Sequence, residues 1–363
     1  MGKIVKIVFV YSLLFVFASC GTNTDKGFLT IPVGSVMDTP LSLSEIAGNV
    51  EAFELELTEQ SLISRVKRVF HTEDYIFICG SKYIMLFDKT GKFIRQIGSV
   101  GQGPGEFTTI ADVAADMKNK LLFILASGKI ICYDPDGNLM KESSSGSYGG
   151  GIKYLYYVDD ALKLLVESVV TLDGNKKKQT VLYTLDDNLL KSDSVEVHTI
   201  DSRWIWNNLY DDFISYDGEN VYLYYPDLSQ NTFILDTLYR LNNRKLTPYL
   251  NLSFTNNGLN TSGEKNIYIM NIYKSSRYVF SNYMLPVPVN ERRNPECCLC
   301  YDTKTGKCYN MKEGYKDDIH TGEVVKIRPF DSDSNMFYYL HTDMDDSVKE
   351  EPNPTLYIGT LKK

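Results

Sequence analysis

One turn recurs along this chain and limits what it can fold into. It reads Phe87-Asp88-Lys89-Thr90-Gly91-Lys92-Phe93, then Tyr133-Asp134-Pro135-Asp136-Gly137-Asn138-Leu139, then Tyr183-Thr184-Leu185-Asp186-Asp187-Asn188-Leu189. It returns as Tyr239-Arg240-Leu241-Asn242-Asn243-Arg244-Lys245 and Tyr301-Asp302-Thr303-Lys304-Thr305-Gly306-Lys307. An aromatic enters the turn, and Asp, Asn and Gly supply the corner residue with positive φ that a tight hairpin needs. The starts at 87, 133, 183, 239 and 301 are spaced 46, 50, 56 and 62 residues apart. A repeat of strand, turn, strand, loop, strand, turn, strand at that distance is the blade of a β-propeller.

These turns mark five blades. A sixth comes from Glu323 to Phe330, Met336 to Leu340 and Thr355 to Leu361, which supply only three strands. The segment Val50-Glu51-Ala52-Phe53-Glu54-Leu55-Glu56-Leu57 alternates apolar and acidic residues, as an exposed outer strand does, and supplies the fourth. Joining both ends of the chain in one blade closes the ring and removes a raw edge. The abundance of 26 Tyr and 17 Phe favours β structure. The expected fold is therefore all-β: a six-bladed β-propeller of four-stranded antiparallel blades over residues 45–363, the last blade closed by an N-terminal strand.

The stretch Gly98-Ser99-Val100-Gly101-Gln102-Gly103-Pro104-Gly105-Glu106-Phe107 invites a phosphate-loop reading. That reading fails, because no Lys-Ser/Thr pair follows the last glycine and the next residues, Thr108 to Val113, open a strand. The stretch reads as a crossover between blades. It resembles the linker of NHL-like or TolB-like six-bladed propellers, and most closely a family of bacterial propeller lipoproteins. The segments Phe53 to Leu57, Gly101 to Phe107, Asp236 to Leu241 and Ser276 to Phe280 look like that family's recurring pieces in its order. The resemblance implies fold and location and leaves activity open. The WD and kelch signatures are absent.

The N-terminus is a targeting segment. Lys3 and Lys6 precede the apolar run Ile7 to Phe17, too short to span a bilayer as a mature helix but suited to a signal-peptide core. Phe17-Ala18-Ser19-Cys20-Gly21 resembles a bacterial lipobox, with Phe17 in place of the more usual Leu. The resemblance implies cleavage before Cys20 and its acylation, so that residues 1–19 are removed and Cys20 holds the chain on the outer membrane, facing the periplasm or the surface. An ordinary signal peptide with an unrelated cysteine is the alternative. Residues 20–44 read as a flexible tether, polar with scattered Pro and Gly.

The balance is acidic, 46 Asp and Glu against 38 Lys and Arg, with no basic stripe, which argues against a nucleic-acid partner. Cys79 and Cys132 lie in apolar runs and read as buried thiols. Cys297, Cys298, Cys300 and Cys308 are denser, but strand alternation points Cys297 away from Cys298 and Cys300, and no ligand-spaced His is near. Buried thiols are expected there rather than a metal. Cys300 and Cys308 flank a turn and could meet as a disulfide.

In a four-stranded blade the first and third connections share one face, and the second connection and the crossover share the other. Here the long pieces are all of the latter kind: Val169 to Lys178, Val195 to Asp212, Tyr224 to Leu235, Ser253 to Asn266, Met284 to Glu296 and His341 to Pro354. Long loops on a rigid scaffold are where binding residues collect. The crossover at 201–212 holds both tryptophans of the chain, and Arg203, Trp204, Trp206, Asn207 and Tyr210 offer stacking faces and directional hydrogen bonds. The same two tryptophans could instead plug a gap between blades. His198, His320 and His341 map to the long-loop face without metal-motif spacing. Arg292 and Arg293 could clamp a carboxylate or sulfate. No metal and no cofactor are expected. The sequence favours a monomeric, non-catalytic envelope module that binds a glycan fragment, a small polar molecule or a partner protein. The alternative is an envelope lyase or hydrolase with its centre at the channel mouth.

Overall fold

A computed structural model describes residues 28–126, 128–144, 151–201, 212–228, 233–242, 244–287, 293–342 and 352–363. Six antiparallel four-stranded sheets follow one another around a ring. Blade 1 is Val66–His71, Tyr75–Gly80, Ile84–Asp88 and Phe93–Gln96; blade 2 is Ile110–Asp116, Leu121–Ala126, Lys129–Tyr133 and Leu139–Ser144. Blade 3 is Gly151–Val158, Ala161–Leu172, Asn175–Leu185 and Lys191–Ile200; blade 4 is Ile214–Tyr216, Val221–Leu223, Thr237–Asn242 and Lys245–Ser253. Blade 5 is Tyr268–Lys274, Tyr278–Met284, Glu296–Asp302 and Lys307–Lys312. Blade 6 takes Arg328–Phe330, Asp333–His341 and Thr355–Leu361 from the C-terminus and its outer strand, Ala47–Glu54, from the N-terminus. This is the all-β six-bladed propeller expected, closed as expected.

The repeated turn works through its acidic residue. Asp88 Oδ1 accepts the Thr90 N–H at 2.7 Å and the Lys92 N–H at 3.1 Å, and Gly91 takes the positive-φ corner. Asp134 with Gly137, Asp186 with Leu189 and Asp302 with Gly306 repeat the device. Asx turns of this kind fix the hairpin through bonds within the turn itself.

Burial is lowest at the rim and greatest in the middle strands of a blade. The second strand of blade 1, Tyr75–Gly80, is buried over almost its whole length, whereas the outer strand Leu139–Ser144 of blade 2 is almost wholly exposed. The core is six separate apolar clusters among the described residues, one in each gap between neighbouring blades. Leu55, Val69, Ile76, Phe330, Tyr338 and Leu356 fill the gap between blades 6 and 1. A ring of this design is held by its seams, so losing one strand of the closing blade weakens the whole.

The tether expectation needs correction over residues 28–44. Leu29–Pro32 forms a fifth, parallel strand on the outer edge of blade 4, with Ile31 fully buried. The chain then bridges blade 5 through Met37 and Met311 and reaches Lys316 through Ser42. Leu41 and Leu43 are buried before the outer strand of blade 6 begins. Apolar residues at 29, 31, 33, 41 and 43 make this a strap across three blades. The flexible-tether reading weighted its polar residues and missed their spacing.

The glycine-rich crossover binds its own carboxylates. Glu106 accepts the Gly103 N–H at 2.8 Å, and Glu142 accepts the Gly105 N–H at 2.6 Å and pairs with Lys129 at 3.2 Å. Two N–H groups that a phosphate would need are thereby used. Cys300 and Cys308 do not meet: Cys308 lies opposite Tyr301 in the strand pair, and the two thiols face different seams, Cys300 that of blades 5 and 6 and Cys308 that of blades 4 and 5.

Candidate functional site

The innermost strands carry charge. On blade 1, Arg68 sends Nε to Asp112 Oδ1 of blade 2 at 3.1 Å and Nη1 to both oxygens of Asp331 at 3.0 Å, just after the inner strand of blade 6. Its guanidinium also lies over the Tyr156 ring of blade 3, 5.3 Å from the centroid. Asp112 accepts the Leu155 N–H at 2.8 Å. Opposite, Arg328 reaches Asp212 at 3.2 Å, and the Tyr216 N–H of blade 4 donates to Ser334 of blade 6 at 2.9 Å. Blades 4 and 6 are not neighbours in the ring, so this contact skips blade 5. These groups knit the centre together.

On the long-loop face, Val169 to Lys178 is not a loop. The second and third strands of blade 3 run on as a hairpin to the corner residues Asp173 and Gly174. Where the blade 3 hairpin meets the blade 4 connection, four charged side chains are buried together. Lys178 Nζ lies 3.3 Å from Glu167 Oε1 and 3.7 Å from Asp227 Oδ1. Lys265, in the crossover to blade 5, lies 3.8 Å from Asp227 Oδ2 and donates to the Asp227 carbonyl at 2.9 Å. No side chain of the four is more than 3 % exposed. Their formal charges cancel.

A cavity of about 80 Å³ opens beside them, lined by Val197, His198, Tyr224, Tyr225, Ile234, Leu235, Asp236, Thr237 and Tyr239. His198 stacks on Tyr225 at 5.9 Å, and its Nε2 lies 3.2 Å from the Thr180 hydroxyl. Burial, reinforced by the Lys178 charge, pushes the imidazole down to about 4, so it is neutral at physiological pH. The Tyr225 hydroxyl is raised far above its ordinary value, first by burial and then by Glu167, to which it is hydrogen-bonded. Tyr224 donates its hydroxyl to the carbonyls of Leu235 and Ile269. Asp236 accepts the Thr237 hydroxyl at 2.9 Å.

The structure places the sequence candidates as follows. Arg203, Trp204, Trp206, Asn207, Tyr210, Arg292 and Cys20 lie outside the described residues. The described ends of the tryptophan crossover make ion pairs: Asp201 faces Lys177 on the blade 3 hairpin at 3.5 Å, and Asp212 pairs with Arg328 of blade 6 at 3.2 Å. His198 is in the cavity wall. His320 is elsewhere, its Nε2 on the Val50 carbonyl at 3.1 Å and its ring 5.1 Å from Tyr357, in the seam of blades 5 and 6. His341 ends the second strand of blade 6, opposite Thr355. Arg293 is exposed on a groove with Lys312, Glu313 and Lys326. The three histidines therefore sit at three separate places. Sequence reading missed Glu167, Lys178, Asp227, Lys265 and Asp236. The available signal was charge set inside strands, as in Leu164-Leu165-Val166-Glu167.

The family described as a domain of unknown function, DUF4934, matches residues 28–362. The backbone is similar to that of a candidate exported protein from Bacteroides fragilis NCTC 9343, with a TM-score of 0.61 at 19 % identity, covering 93 % of this chain and 100 % of that one. A member of the DUF4221 family from Bacteroides vulgatus gives a TM-score of 0.53 at 11 % identity, covering 87 % of this chain and 97 % of the other. At these identities the likenesses carry the fold. Among curated proteins, none matches the chain in sequence.

Proposed function

This chain belongs to the DUF4934 family, and we propose that it works as an exported, lipid-anchored propeller of the cell envelope that binds a small ligand without transforming it. Export and anchoring rest on the signal-like run, on the lipobox-like residues ending at Cys20, on the likeness to NHL-like propeller lipoproteins and on the description of the Bacteroides fragilis neighbour. The ligand site is the long-loop face between blades 3 and 4.

The observation that carries the binding reading is the buried set Glu167, Lys178, Asp227 and Lys265 beside a cavity. Four desolvated charges are a poor way to stabilise a fold, because apolar side chains of the same volume usually do as well or better. Perturbed groups that converge on a cavity are a mark of a functional site. His198 offers this wall little acid–base power. With its pKa near 4, His198 is a weak base at neutral pH.

The test has two parts. Wild type and Cys20→Ser are labelled with a fatty acid and fractionated; labelling and membrane retention must depend on Cys20. The full chain is then screened by thermal shift against monosaccharides, amino acids and small amines, since a ligand of the folded state raises the melting temperature. Trp204→Ala and Trp206→Ala are run beside it, and an unchanged shift in both removes the tryptophan crossover from the site. A screen with no shift for any probe overturns the binding reading.

A further inference from the structure

We propose that the cavity between blades 3 and 4 receives the cationic amine end of a small ligand, a conclusion that rests on the binding reading above and names its chemistry. The walls are aromatic on several sides: Tyr224 and Tyr225 come from the start of the blade 4 connection, Tyr239 from the strand that follows it, and His198 from the outer strand of blade 3. Aromatic faces carry negative charge density, and several of them around one point form a cage for ammonium and alkylammonium groups.

The charge count points the same way. Glu167, Lys178, Asp227 and Lys265 sum to zero and pair with one another. Asp236 is the remaining ionisable acid of the wall, and among the described residues its carboxylate accepts from the Thr237 hydroxyl and pairs with no Lys or Arg. His198 adds no positive charge at neutral pH, being held neutral by burial and by Lys178. The cavity wall is thus singly negative and aromatic. An anion would meet the Asp236 carboxylate and aromatic side chains, with no cation of the wall to pair with. A neutral polyol would gain Asp236 as an acceptor and draw nothing from the charge. A cation gains from both. At about 80 Å³ the space admits the end of a ligand and not the whole of it.

Titration calorimetry on the full-length protein provides the test, with choline, ethanolamine and methylammonium as probes and 3,3-dimethylbutanol as the uncharged counterpart of choline. At least one amine should bind, and choline should bind at least tenfold more tightly than its uncharged counterpart. Asp236→Asn should weaken amine binding tenfold or more with the melting temperature kept. Tyr239→Leu should weaken it and Tyr239→Phe should not, because the ring face and not the hydroxyl does the holding. Equal affinity for choline and dimethylbutanol overturns the inference, as does an Asp236→Asn protein that binds the amine as well as wild type. If no amine binds while a saccharide or amino acid from the thermal-shift panel does, the amine assignment falls and the binding reading stands. If nothing binds, both fall.

Discussion

Replacing Arg68 by Met should be among the most damaging single changes in this protein. The guanidinium is 3 % exposed and joins two carboxylates, Asp112 and Asp331, through four hydrogen bonds. Blades 6, 1 and 2 meet in that one group, and blade 3 joins them through Asp112 and the Tyr156 ring. Breaking a buried ion pair by removing one partner typically costs about 3–5 kcal/mol, because the other charge stays buried. Here two acids remain, so Arg68→Met should cost about 4 kcal/mol or more. Arg68→Lys keeps the charge but cannot make the planar fork, and should fall between. The triple change Arg68→Met, Asp112→Asn, Asp331→Asn removes all three charges, and the amide oxygen introduced by Asp112→Asn can still accept the Leu155 N–H. It should recover most of the loss. Urea unfolding followed by circular dichroism measures this as a shift in midpoint at constant slope. A loss under about 1 kcal/mol for Arg68→Met, or a triple variant no more stable than the single one, would refute the view that desolvated charge is what this centre balances.

Four further outcomes are expected. A truncation that starts after Leu57 removes the outer strand of blade 6 and should aggregate or melt far below wild type; an equal melting temperature would count against the shared blade. Ile31→Ala should cost about 2–4 kcal/mol in urea unfolding, since Ile31 is a fully buried residue of the strap, whereas a real tether would tolerate it freely. Gly98→Ala should destabilise more than Gly128→Ala: both have positive φ, but a Cβ at 98 would stand 2.7 Å from the Phe107 ring while one at 128 meets open space. Asp317 is buried, which raises its pKa, but hydrogen bonds from Thr321, Tyr339 and His320 outweigh burial and hold the carboxyl at about 2 against an ordinary 3.8. Its folded pKa is depressed, so it contributes on the order of 2 kcal/mol above pH 4 that is lost as pH falls toward 2, and the advantage of wild type over Asp317→Asn should shrink across that window.

How far the sequence spoke for itself depended on the range of the interaction. The repeated turns were legible because Asp88, Asp134, Asp186 and Asp302 act on backbone within four residues of themselves. The closing strand was legible because alternation is also local. The buried cluster was not, because Glu167 and Lys265 are about a hundred residues apart and only the blade 3 hairpin and the blade 4 connection bring them to one place. Cys300 and Cys308 show the opposite error: nearness in sequence suggested contact, and a one-residue offset in register sent the thiols to different seams. His320 was assigned to the right kind of connection, but its ring turned toward the Val50 carbonyl, which no periodicity encodes.

The strap sets a length. With Leu29 already paired to blade 4, eight residues, 21–28, lie between Cys20 and the strap. Fully extended they span at most about 28 Å, at roughly 3.5 Å per residue. A lipid on Cys20 would therefore be a short leash fixed to the rim of one blade and not a long one fixed to the base of the disc. The propeller would stand within a body's width of the bilayer with blade 4 nearest to it. A partner or substrate held in the same membrane could then reach the ring only on the sides that this leash leaves open.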